Sequence, residues 1–281
     1  MDPGSRFNVA GMTNRMSPDL SFILMLALRM AIAAAFVVSA SIITERSGPV
    51  IGALVATLPI SAGPSYVYLA LDHDAAFIAQ GALASLPINA VTICLSTTYV
   101  LLAQRHSLLI SCSAAVAVWL VLASIVYAVH WSLAGGLLVN VIVYGICVPI
   151  LEPYRHLKHM PLIVRRWYDV PLRASLVAVL VGTVVTLSSW VGPTVSGILA
   201  LFPLVFTSMM LILHPRVGGP ATAAVVANSG WGMVGFGLGL TMLHVGALRF
   251  GSAAGLLLGL ATSVLWNLAL WWNGRRKAMA R

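Results

Sequence analysis

Charge is what this sequence is shortest of. Asp, Glu, Lys and Arg make up 8% of its 281 residues, with only 7 acids among them. A soluble domain needs far more polar side chains to cover its surface, so a water-soluble enzyme or binding module is excluded. Cysteine is scarce too. Cys94, Cys112 and Cys147 lie inside apolar runs, with no C-x-x-C pair and no histidine at metal-ligand spacing. That removes a disulfide scaffold and a zinc site, and leaves three reduced, buried small hydrophobes. There is no H-E-x-x-H, no G-x-S-x-G, no pair of carboxylates within a span and no phosphate loop between strand and helix. The chain therefore reads as a non-enzyme that needs no metal or cofactor. The opening "MDPGSRFNVAGMTNRM" lacks the basic segment, short apolar core and cleavage site of a signal peptide. It reads as a disordered tail over 1–16 or an over-long start, with Met12 and Met16 as alternative initiators.

What is present is apolar length. Hydrophobic residues make up 60% of the chain and mean hydropathy is +0.97. Runs of about 20 apolar residues fall at 18–43, 48–71, 75–102, 107–129, 132–151, 171–190, 193–213, 219–244 and 251–272. These are too long for barrel strands, and lipid offers no water to backbone groups, so the expected fold is all-α: a polytopic membrane protein of nine transmembrane helices. Ser17 as N-cap and Pro18 at the first helical position support the first boundary.

The formal charge of +9 raises nucleic acid as a partner, but the basic residues gather in loops and at the C-terminus. They read instead as topology signals and contacts to anionic membrane lipids. With the N-terminus outside, eleven basic residues, from Arg46 to Arg281, fall on the cytoplasmic side. Only Arg6, Arg15 and Arg249 remain outside. The expectation is a multi-pass protein of the bacterial inner membrane, N-terminus out and C-terminus in. Trp131 and Trp190 anchor it outside, and Trp167, Tyr168, Trp271 and Trp272 inside.

Compared with itself at an offset of 144 residues, the chain repeats its landmarks. Arg29 falls on Arg173, Gly48-Pro49 on Gly192-Pro193, Pro59 on Pro203, Ser85 on Ser229 and Arg105 on Arg249. From Leu28 to Pro59, 8 of 32 positions are identical. Repeats of four spans joined by a fifth would stand upside down relative to each other. The reading is thus a 4+1+4 inverted-topology repeat with broken second and seventh helices. Its parts are a first four-helix repeat over 17–130, a connector helix and basic cytoplasmic loop over 131–170, a second repeat over 171–273, and a basic cytoplasmic tail over 274–281.

Pro59 lies eleven residues past Gly48, about 16 Å along a helix and so near the bilayer middle. Pro203 reaches the same depth from the other face. "LPISAGPSYVY" (58–68) reads either as an unwound segment lining a cavity or as a tolerated kink with small residues for close packing. Candidate substrate-binding residues are Pro59, Ser61, Gly63 and Ser65 from the second span, Pro203, Thr207 and Ser208 from the seventh, and Asn228 from the eighth. Asn228 could equally serve a helix–helix hydrogen bond. Arg29, twelve residues into its helix, is the candidate anion-binding or gating charge, whereas Arg173 is close enough to its helix start to snorkel.

The stretch "TVSGILALFPLVFTSMMLILH" (194–214), and more weakly "IGALVATLP" (51–59), resembles the small bacterial inner-membrane proteins called GlpM-like. The resemblance implies a fused duplication of such a unit and supplies no substrate or site residues. The function expected is a permease moving a small organic solute, anionic if Arg29 faces the cavity, by alternating access. The alternative is a non-transporting scaffold, assembly partner or lipid-binding protein. A homo-oligomer fits either.

Overall fold

The computed structural model describes residues 18–46, 62–155 and 166–279. Among these there is no strand. The helices are α1 (Pro18–Arg46), α2 (Ala62–Asp72), α3 (Ala75–Leu102), α4 (Leu108–Ala128), α5 (Leu133–Leu151), α6 (Asp169–Ala200), α7 (Leu204–Val217), α8 (Gly219–Asn228), α9 (Gly230–Phe250) and α10 (Ser252–Met279), with one 3₁₀ turn at Glu152–Tyr154. Six helical stretches among the described residues are long and apolar enough to cross a membrane. Their outer faces are apolar too: Leu109 on α4, Val141 on α5 and Leu257 on α10 are 79%, 71% and 68% exposed. An apolar core inside an apolar exterior is the pattern of a membrane-embedded bundle.

The apolar runs become helices where expected, but three boundaries differ. Runs 171–190 and 193–213 are joined differently: α6 continues to Ala200, interrupted at Gly192, whose φ of 74° and ψ of 179° are non-helical. Glycine reaches that conformation without a Cβ clash, and Pro193 restarts the helix because its missing N–H is unneeded in a first turn. The chain leaves the helix again at 201–203 before α7. Run 219–244 is two helices, α8 and α9, meeting at Ser229, and the second continues to Phe250. In the second run, residues 62–68 of the segment expected to unwind are helical; 48–61 lie outside the described residues.

α3 is the hub, packing against α2, α4, α5, α6, α8, α9 and α10. It buries Ser85, Asn89, Thr92, Ser96 and Thr97 together with its apolar side chains. Small residues set how closely neighbours approach it. A Cβ on Gly197, in α6 after the Gly192 turn, would overlap the carbonyl oxygen of Gly81 on α3. Along α9 and α10 a second small-residue seam forms. A Cβ on Gly246 would stand 2.9 Å from the Cα of Gly255, and one on Gly259 2.9 Å from the carbonyl oxygen of Gly239. The glycines of "GFGLGL" therefore serve packing, as small residues do where helices meet in lipid.

Gly197→Ala should accordingly lower stability by about 1–3 kcal/mol, the usual cost of overpacking. Gly145→Ala, where an added Cβ meets nothing within 4 Å, should be neutral or slightly stabilising. Denaturation of both variants in one detergent measures the difference, and equal midpoints would contradict a backbone-to-backbone crossing at Gly81.

Candidate functional site

The helix break at 201–203 has a local cause. Pro203 has no N–H to donate to the carbonyl four residues back, and its ring crowds that turn. The preceding turn tightens, with Leu201 N–H donating to Ile198 O at 3.2 Å and Phe202 N–H to Leu199 O at 3.0 Å. Pro203 then adopts φ −77°, ψ 52°, and α7 starts at Leu204. The Pro203 carbonyl accepts from the Thr207 N–H and from its hydroxyl, each at 2.9 Å. Phe202 is held edge-on against Trp119 of α4, ring centroids 5.2 Å apart.

Beside this break lies a cavity of about 50 Å³, lined by Val37 of α1, Arg173, Leu176 and Val177 of α6, and Leu204, Val205 and Ser208 of α7. An arginine and the first turn of a helix thus border the same space. Both favour negative charge: the guanidinium by its own charge, the turn by its N–H groups and dipole. The hydroxyl of Ser208 donates within its own helix, to Val205 O at 3.0 Å, and its oxygen can still accept.

The remaining sequence candidates lie in several places. Pro203, Thr207 and Ser208 come together at the break. Gly63 and Ser65 are in the first turns of α2, with Ser65 buried. The neighbouring Tyr66 donates its hydroxyl to Ser85 Oγ at 2.6 Å, and Ser85 donates to Gly197 O at 2.8 Å. This buried relay ties α2 and α3 to the helical segment leading into the break. Pro59 and Ser61 lie outside the described residues. Asn228 sits at the end of α8, where its side chain accepts from Arg155 Nε at 3.2 Å and donates to Arg155 O at 2.9 Å. Arg29 forms a bidentate ion pair with Asp72 at the end of α2, one of its bonds being Nη2 to Oδ1 at 2.7 Å, and its guanidinium stands 5.8 Å from the Tyr68 ring.

That cluster has a counterpart at the opposite end of the bundle. Asp169 at the start of α6 takes two bonds from Arg216 near the end of α7, at 2.7 and 2.6 Å. Arg216 lies 5.2 Å from the ring of Tyr168. At the 144-residue offset Arg29 corresponds to Arg173 and Asp72 to Arg216, while Asp169, the partner of Arg216, falls on Met25. Arg166 and Arg216 together hold the Tyr168 phenol below its ordinary pKa, chiefly through the hydrogen bond from Arg166.

Between the ends, Asn89 of α3 donates to Met233 O at 3.2 Å and to Asn140 Oδ1 of α5 at 3.1 Å; Asn140 in turn donates to Leu86 O and Gly136 O, both at 2.8 Å. Residue 233 is the position equivalent to 89. A residue touching its own equivalent is what a two-fold axis passing between α3 and α9 would produce.

Sequence reasoning missed Arg173 as a cavity residue, although its equivalence to Arg29 could have flagged it. It also missed Asp72, Asn140 and Arg155 as partners, for which no local signal exists. No protein-family model, curated protein or solved structure matches the chain.

The side chains of Arg216 and Asp169 are 14% and 12% exposed, against 17% and 32% for Arg29 and Asp72. Breaking the more enclosed pair should cost more. Asp169→Asn is expected to destabilise more than Asp72→Asn. The exchanged pair Asp169→Arg/Arg216→Asp should recover most of the loss. Thermal midpoints of the three variants test this order, and equal losses would contradict it.

Proposed function

We propose that this chain is a permease of the bacterial inner membrane, N-terminus outside and C-terminus cytoplasmic, that moves a small organic anion by alternating access between two inverted repeats. The observation that carries the reading is the break at 201–203, which opens beside a cavity bordered by Arg173 and Ser208. Irregular backbone within an apolar bundle persists where it lines a cavity. Half-helix ends at mid-membrane depth are the usual means of binding a charged solute there. The repeat reading draws support from the Asn89–Met233 contact. It is consistent with duplication of a GlpM-like unit.

Arg173 replaces Arg29 as the proposed anion ligand, because Arg173 lines the cavity and Arg29 does not. A cavity of about 50 Å³ suits waters or a small ion rather than an organic molecule, so an organic solute would enter only by separation of α6 and α7. The rival scaffold reading is favoured by one observation: the hydroxyls of Thr207 and Ser208 both donate to their own helix, as packing residues do.

Two measurements separate the readings. Ser208→Cys, with Cys94, Cys112 and Cys147 changed to Ala, should react with a small aqueous thiol reagent in a permease and be shielded in a scaffold. The thermal midpoint of the purified protein should rise with concentration for one class of small anion through mass action, and the rise should vanish in Arg173→Ala. No rise with any soluble compound, together with a shielded thiol in the Ser208→Cys variant, would favour the scaffold.

A further inference from the structure

The two ion-pair clusters differ in net charge. At the Asp72 end, Arg29 is set against Asp72, with Asp74 close by as the cap of α3. At the Arg216 end Asp169 is set among three arginines. Arg216 binds it directly, the Arg166 backbone N–H donates to it at 3.0 Å, and Arg173, one turn along α6, adds its charge. Tyr168 links two of the three: Arg166 Nη1 donates to its hydroxyl at 3.1 Å, and both Arg166 and Arg216 lie within 6 Å of its ring. Three cations set around one anion give this cluster a net positive charge. It stands at the N-terminus of a long apolar helix, whose dipole adds to the same sign.

Beside this charge the surface is apolar. Trp167 is 85% exposed and meets Tyr168 edge-on, the position of an interfacial anchor. Leu172 and Val179, seven residues apart on one face of α6, are exposed below it. A soluble anion would use the guanidinium groups and leave Trp167 and this apolar lane idle. A phospholipid uses both, its phosphate on the arginines and its acyl chain along α6.

We propose that the Arg166–Tyr168–Arg216 cluster, with Trp167, is a binding site for an anionic phospholipid headgroup. Arg166 is its outward-facing ligand, because Arg216 already gives two donors to Asp169. The site lies outside the cavity at the helix break, so it stands whether or not that cavity carries a solute.

The full-length protein in neutral detergent is titrated with phosphatidylglycerol and, separately, with phosphatidylcholine, and bound lipid is counted by native mass spectrometry. Phosphatidylglycerol should bind preferentially. Arg166→Gln, whose lost contacts spare the Asp169–Arg216 pair, should reduce that preference about fivefold, the effect of one basic residue near an anionic surface. Arg249→Gln, at the opposite end, should leave it unchanged, and Trp167→Ala should weaken both lipids. The proposal is overturned if Arg166→Gln retains the full preference or if Arg249→Gln loses it equally. A free-anion site would show instead as inorganic phosphate displacing the bound lipid while Trp167→Ala has no effect, and that result also overturns the lipid assignment.

Discussion

Everything in this bundle answers to the absence of water. In an apolar surrounding a backbone or side-chain polar group without an internal partner costs several kcal/mol, so each polar residue along the spans needs an acceptor or donor from the protein. Most hydroxyls find one within their own helix, as Thr92 does on Ile88 O, Thr183 on Val179 O and Thr241 on Gly237 O. The exceptions define the tertiary structure. Asn140 reaches Leu86 O of α3, and Ser85 and Asn89 join the two halves of the chain at Gly197 O and Met233 O. His244 does the same, pairing Nδ1 with Ala79 O at 2.8 Å. Small residues permit this: side-chain amides and hydroxyls are short, and their reach suffices only where backbones approach as closely as at Gly81 and Gly197.

The same constraint explains why Arg29 and Arg173 ended differently. A guanidinium at the edge of an apolar bundle needs a carboxylate or a polar space. Arg29 obtained Asp72. Arg173 shares the field of Asp169, one turn away, with Arg216, which takes both oxygens of that carboxylate, and Arg173 borders a cavity as well. An arginine at 216, where the offset by 144 residues finds Asp72, therefore separates the balanced cluster from the one that keeps excess positive charge.

The helices were readable because apolar length is a local property, and the break at 201–203 because proline acts on its own turn. Gly192 was harder. A sequence reader places a turn at Gly-Pro, but the geometry that lets α6 resume at once and run to Ala200 depends on φ at one residue. The candidate site was only partly legible. Pro203, Thr207 and Ser208 were found through the repeat, while Arg173 was set aside in favour of Arg29 on depth along the helix. Depth ranks how costly a charge is, not who neutralises it, and Asp72 is 43 residues away in sequence. Asn228 illustrates the same limit: its partner Arg155 is separated by 73 residues.

α3 has almost no face left for lipid, since seven other helices enclose it. Its bonding partners are also late in the chain: Ser85 waits for Gly197, 112 residues on, and Asn89 for Met233, 144 residues on. During synthesis this helix emerges before the partners of the Ser85 hydroxyl and the Asn89 amide have been made. It cannot settle as a lone helix facing acyl chains without exposing these two groups. The hydrogen bonds of the central helix are therefore completed only after α9 has been made.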